Sequence, residues 1–253
     1  MQISLVLFVT FVTNILLAFV MPESWGKERL IFMEVALIIP SLVFVTVRKY
    51  PAREIFRLRG VSLPVMFSSL LIGLGMTVLA DVIDRLVQKW VPMSEELISL
   101  LLEALKVESV ADWVIIIAAG VIIAAIVEEM LFRGMLQTTM ERVTDLNKAI
   151  MMTALVFTFI HFNPWWAIEI MMLGVLLGVM AWRSGSIVPG IIVHAVNNAI
   201  SIAMVNVDES HYSWYFQGNF ISPVVIGIGL VLITGGVMLF FQRTENRPGQ
   251  EVS

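Results

Sequence analysis

The chain has 253 residues, 58% of them hydrophobic and 14% charged, and carries a net charge of −4 with a mean hydropathy of +0.90. Ordinary soluble domains are about 25% charged, so this composition excludes a soluble globular class and makes the lipid bilayer a partner of the chain. Cysteine is absent, which excludes disulfides, thiolate nucleophiles and cysteine-ligated metal centres; no basic tract points to nucleic acid, and none is expected as a partner.

Eight apolar runs follow one another, near residues 1–21, 30–47, 61–80, 113–140, 148–162, 166–182, 186–206 and 221–241. At about 1.5 Å per residue, a run of about 20 residues crosses roughly 30 Å of hydrocarbon. The runs are continuously apolar rather than alternating, so helices are predicted in preference to a barrel. The expected fold is an all-α polytopic membrane bundle of about eight transmembrane helices. The first run lacks a basic leader and a small-residue cleavage site, and reads as a retained span, with removal as a signal peptide the alternative.

Three parts are expected along the chain: 1–110, 111–206 and 207–253. In the first, Arg48, Lys49, Arg53, Arg57 and Arg59 interleave with Ile55, Phe56 and Leu58, a pattern suited to a membrane surface. With this segment inside, both termini are cytoplasmic, and ten Lys or Arg fall on the inner side against five outside, as the positive-inside rule requires. A cell-membrane location is expected. Six of the seven tryptophans, at 25, 90, 113, 165, 166 and 214, then lie near the outer boundary. The outer segment from Asp81 to Asp112 is acid-rich, and Leu97, Leu101 and Leu105 recur every four residues, predicting an amphipathic helix from Glu95 to Leu105. No internal repeat suggests an inverted-repeat transporter. The third part holds the last span and a cytoplasmic tail; Asp208 and His211 precede that span and read as solvated loop residues.

The fourth run, IIIAAGVIIAAIVEEMLFRGMLQTTM, embeds Glu128, Glu129 and Arg133 in apolar sequence. A central charge opposes insertion by about 2.5–3.5 kcal/mol. Glu129 and Arg133, four residues apart, share a helix face and can pair. Glu128 is turned away by about 100°; it is either a protonated or interfacial carboxyl, or a functional one. Glu34 and Glu169 sit near outer ends of spans and read as structural.

The fifth run ends FTFIHFNPWW, with His161 ahead of a helix-terminating Asn163-Pro164. Alone, His161 also reads as a satisfied interfacial histidine. In SIVPGIIVHAVNNAISIAM, His194 and Asn198 share a face, which suits either a site or hydrogen-bonded helix packing. Gly174 and Gly178 read as close-packing positions. Three separate helices therefore each bring proton-transfer or hydrogen-bonding groups into hydrocarbon.

Glu128-Glu129-Met-Leu-Phe-Arg133, Phe157-Thr-Phe-Ile-His161 and His194-Ala-Val-Asn-Asn198 resemble the EExxxR, FxxxH and HxxxN motifs of the CAAX protease and bacteriocin-processing (CPBP, or Abi) intramembrane peptidases. The motifs stand in the family's order, and the resemblance covers residues 113 to about 206. It implies that 111–206 is a catalytic core acting as an endopeptidase on a protein or peptide substrate presented at the membrane. Glu128 and His161 would activate water, His194 and Asn198 would hold the oxyanion, and Glu129 with Arg133 would support the helix. The family has also been discussed as metal-dependent, and a Glu with two His is a plausible zinc set. The metal-free version, with no cofactor, is preferred because Asn is an uncommon zinc ligand and a good oxyanion donor. A non-catalytic immunity or scaffold protein is the rival reading.

Overall fold

The structure is a computed structural model that describes residues 2–244; Met1 and the tail from residue 245, with the Arg247 included in the charge asymmetry, lie outside the described residues. Each apolar run forms a helix: α1 Gln2–Val20, α2 Glu28–Val47, α3 Leu63–Trp90, α4 Val110–Met140, α5 Leu146–Phe159, α6 Ala167–Ser184, α7 Val188–Asn206 and α8 Pro223–Arg243. An all-α bundle is therefore observed, with a two-residue antiparallel strand pair, Phe216–Gln217 on Phe220–Ile221, as its one departure among the described residues.

Among the described residues, six of these helices, α2, α3, α4, α6, α7 and α8, are candidate membrane spans, and Leu5–Val20 of α1 and α5 are shorter apolar helices. The all-α membrane bundle is thus observed, and the count of eight spans is not confirmed. With 14 residues, α5 rises about 21 Å, short of the hydrocarbon thickness. The apolar sequence runs on through Phe162, but Phe162 takes a left-handed φ of 48°. Asn163 Oδ1 then accepts from the backbone N–H groups of Trp165 (3.1 Å) and Trp166 (3.3 Å).

α3 errs the other way and continues to Trp90 through Asp81, Asp84, Arg85 and Lys89. Hydropathy ends the run at 80 because it scores those charges as solvent-exposed, whereas neighbours satisfy several of them. The Tyr215 hydroxyl donates to Asp81. Gln88 lies 3.4 Å from Asp84, and Arg85 stacks 4.7 Å from the Phe216 ring centroid while donating to the Asn219 carbonyl. The segment between α7 and α8 thus covers the polar end of α3.

The basic segment keeps Arg48, Lys49, Arg53 and Arg59 exposed. It forms a short helix, Ala52–Ile55, and buries Ile55 and Phe56 in a core cluster with Leu131, Phe132 and Met135 of α4. Its backbone is fastened to the turn before α7, where the Ile187 N–H donates to the Arg57 carbonyl at 3.2 Å. The amphipathic helix forms as expected over Glu95–Leu105, capped by Ser94. Asn206 of α7 donates to the Leu105 carbonyl (2.9 Å) and accepts from the Val107 N–H (2.7 Å), which anchors its C-terminal end.

α4 is central and meets α2, α5, α6 and α7, while α3 packs on α7 and α8. The α3–α8 seam closes at Gly75, where an added Cβ would sit 2.5 Å from the Gly229 carbonyl and 2.8 Å from the Ile233 nitrogen. Backbone cannot yield as a flexible side chain does, so Gly75→Val is expected to destabilise the protein by about 1–3 kcal/mol. Gly227→Val, which meets nothing within 4 Å, serves as the control. Thermal unfolding of the two variants in one detergent reads the difference.

Candidate active site

α4 is not a uniform α-helix. Two π-helical stretches, Ile117–Ile123 and Met130–Leu136, flank an α-helical turn and a half, Ala124–Glu129. Insertions of this kind alter the direction of side chains and recur at functional sites. Here they bracket the adjacent carboxyls of Glu128 and Glu129.

Glu129 faces inward and is fully buried, as is Arg133; Arg133 Nη1 donates to Glu129 Oε1 at 2.7 Å. The guanidinium also donates to the Gly174 carbonyl of α6 at 3.2 Å and lies 4.2 Å from the Phe157 ring centroid of α5. Four residues further, Gln137 donates to the Gly178 carbonyl at 2.9 Å and to Glu141 at 2.8 Å, and Glu141 pairs with Arg57. The two α6 glycines therefore admit α5 and α4 closely and lend their carbonyls to the buried side chains. Gly190 has a related role on α7: a Cβ there would collide with Glu129 Oε2.

Glu128 points elsewhere. Its side chain is 13% exposed, and Oε2 lies 3.7 Å from His194 Nε2. His194 Nδ1 lies 3.7 Å from Glu129 Oε1, so the imidazole stands between the two carboxyls, at separations beyond direct hydrogen bonds. His161 Nδ1 donates to the Phe157 carbonyl at 2.7 Å; a carbonyl only accepts, so this contact puts the proton on Nδ1 and leaves Nε2 with its lone pair. Asn198 Nδ2 donates to the Gly120 carbonyl, inside the first π stretch, at 2.8 Å. One of its two amide protons is used there, and the second is free for a ligand.

Phe157 joins the cluster, with its ring edge-on to His161 at 4.7 Å and to His194 at 5.9 Å. The chain thus brings Glu128, His161, His194 and Asn198 to one cavity of about 450 Å³. Glu128 and His161 also line a second, mostly apolar cavity of about 1350 Å³ between α1, α2, α5 and α6. Glu34, read from sequence as structural, lies within electrostatic range of Glu128, and its Oε2 is buried without a hydrogen-bond partner. Glu169, read the same way, lines the smaller cavity together with Asp81 and Asp84.

Sequence reasoning missed Gln137, Glu141 and Gly190. The first two continue the four-residue spacing from Glu129 through Arg133, and Gly190 stands four before His194, so their spacing carried the signal. Gly120, Asp81 and Asp84 had no comparable local signal. Exposed His211, 3.3 Å from the Asp208 carbonyl, lines neither cavity. Among the described residues, no group of three or more His, Asp, Glu or Cys side chains is disposed to hold a metal ion.

Removing one member of a buried ion pair leaves the other charge without compensation, at a loss of about 3–5 kcal/mol. Glu129→Ala and Arg133→Ala are each expected to lower stability by that amount. Glu128→Gln, which keeps shape and sits at a cavity edge, is expected to change it by less than about 1 kcal/mol. Denaturation in a common detergent separates the adjacent glutamates.

Residues 110–200 match the family model described as type II CAAX prenyl endopeptidase Rce1-like. No curated protein matches the chain, and neither does a solved structure. The matched segment contains α4, α5, α6 and α7 as far as Ile200, and hence each of the residues that line the cavity from the three motifs. The chain is an integral membrane protein whose residues 110–200 match an Rce1-like domain model of the CPBP protease family.

Proposed function

We propose that the protein is an intramembrane endopeptidase that hydrolyses a peptide bond by water activated at Glu128 and His161. The observation that carries this reading is the convergence of Glu128, His161, His194 and Asn198, from three helices, on a single cavity. In the proposed reaction the Glu128 carboxylate takes a proton as water oxygen attacks the peptide carbonyl carbon, with the His161 Nε2 lone pair positioning that water. The carbonyl oxygen becomes an oxyanion and accepts from His194 Nε2–H and the second Asn198 amide proton. Collapse breaks the C–N bond, and the proton held by Glu128 passes to the leaving amine.

The reaction is proposed without metal. His161 Nδ1 and the Asn198 amide are already engaged by backbone carbonyls, and the buried charge of Glu129 is satisfied by Arg133; such a donor set favours hydrogen bonding over ligation. The apolar cavity that reaches Glu128 and His161 suits the apolar part of a membrane-held substrate, in keeping with a family named for prenyl endopeptidases. The basic segment supports placing both termini on the cytoplasmic side of the cell membrane. The packing alternative applies to Glu129 and Arg133 rather than to Glu128, whose unpartnered Oε2 contributes no visible hydrogen bond to the fold.

A substrate trapped in native membranes by Glu128→Ala provides the assay. With that peptide, Glu128→Ala and His161→Ala are expected to lose at least about 10²-fold in turnover while melting close to the parent protein; wild-type turnover in the Glu128 variant would refute the role. Activity is expected to survive a chelator, and chelator-sensitive activity with stoichiometric zinc in the purified protein would overturn the metal-free scheme.

A further inference from the structure

The Glu95–Leu105 helix joins α3 to α4, at the end of α3 opposite the basic segment. Both of its ends are pinned to the bundle. Ahead of it, the Met93 N–H donates to Gln88 Oε1 at 2.9 Å. After it, Lys27 donates to the Lys106 carbonyl, beside the bonds that Asn206 makes to Leu105 and Val107. Leu105 and Val107 pack against the core cluster of Ile116, Val121 and Ile202. Between these attachments no residue of the helix is buried.

At about 100° per residue, Glu95, Glu96, Ser99 and Glu103 fall on one side of the helix, and its leucines, Ile98 and Ala104 fill the remainder. Ile98 is 39% exposed, Leu102 47% and Leu100 63%; apolar side chains grouped this way on a surface mark a contact with another apolar phase. The surfaces that continue from either end say which phase it is. Leu86, Trp90 and Val91 at the end of α3, and Val110, Val114 and Ile117 at the start of α4, are exposed as well. Both helices are candidate membrane spans, so these side chains meet lipid, and a tryptophan such as Trp90 marks the interfacial layer. The polar side of the helix carries three carboxylates and no Lys or Arg. Burial of apolar surface, rather than attraction to anionic headgroups, is therefore what seats it.

We infer that the Glu95–Leu105 helix is an interfacial membrane-binding element whose partner is the phospholipid leaflet opposite the basic segment. Ile98, Leu100 and Leu102 lie among the acyl chains, and Glu95, Glu96 and Glu103 face water. Leu105, at the pinned end, is part of the smaller cavity's lining, so the lipid-seated helix supplies one wall of the space that holds the motif residues. The inference does not depend on the peptidase reading.

Because the chain has no cysteine, a single introduced cysteine carries a nitroxide spin label without further substitution. Ile98→Cys, Leu100→Cys and Leu102→Cys, with Glu96→Cys and Glu103→Cys as water-facing references, are made in full-length protein at one copy per phosphatidylcholine nanodisc. All are exposed positions, where substitution disturbs stability little, and each apolar site reads the same contact independently. Labels in place of Ile98, Leu100 and Leu102 are expected to lose access to a water-soluble nickel chelate while staying open to oxygen, which concentrates in hydrocarbon. Labels in place of Glu96 and Glu103 are expected to keep access to the chelate. Raised salt is expected to leave this pattern unchanged, since screening weakens charge attraction and not apolar burial. Chelate access at the apolar sites equal to that at the glutamate sites would overturn the proposal, as would release of those labels into water at high salt. Protection that arises only in discs holding two copies would overturn it too, by assigning the face to a second chain.

Discussion

The Glu129–Arg133 pair is the constraint around which the core is assembled. Both side chains are fully buried in a chain whose surroundings supply little water, and an unpaired charge there would oppose folding by several kcal/mol. Satisfying the pair recruits an element from each side: the Gly174 carbonyl from α6, the Phe157 ring from α5, and a glycine at 190 on α7 that leaves room for the Glu129 carboxylate. The same helix face continues through Gln137 to Glu141 and Arg57, so the polar ladder ends by fastening the segment between α2 and α3. A row of polar groups four residues apart thereby sets which helices surround α4.

That arrangement also divides two adjacent, chemically identical residues. Glu129 Oε1 is held by the Arg133 guanidinium, while Glu128 turns toward the cavities and lies 3.7 Å from His194. His194 between them couples the buried pair to the open carboxyl. The π stretches on either side of the turn make room for this: the first presents the Gly120 carbonyl to Asn198, and the second contains Arg133 itself. Phe157 contacts both histidines and the guanidinium, so the aromatic position of its motif works as a spacer that holds the imidazoles apart.

Much of this was legible in the sequence where spacing carries direct physical meaning. The i, i+4 relation predicted that Glu129 and Arg133 could pair, the leucine period located the Glu95–Leu105 helix to the residue, and the Asn163-Pro164 break marked the turn after α5. Hydropathy failed where tertiary contacts override solvent. It ended α3 at the charges that Tyr215, Phe216 and Asn219 accommodate, and it extended α5 through apolar residues that the left-handed Phe162 excludes from the helix. The grouping of Asp81 and Asp84 with Glu169 in the smaller cavity was hidden for the same reason, since they are distant in sequence and meet only when α3 packs beside α6. Arg57 and Phe56 looked like surface residues because no local pattern reveals their partners on α4, Glu141 for Arg57 and the Leu131–Phe132–Met135 cluster for Phe56.

Two cavities, the larger of them mostly apolar, meet at Glu128 and His161, and the proposed reaction adds water across a peptide bond at this junction. Membranes containing wild-type or Glu128→Gln protein, incubated in ¹⁸O-labelled water, offer the most direct measurement, with new peptide C-termini read by mass spectrometry. The account predicts termini carrying one ¹⁸O atom in the wild-type membranes and their absence with Glu128→Gln. The same labelled termini in both samples would contradict it.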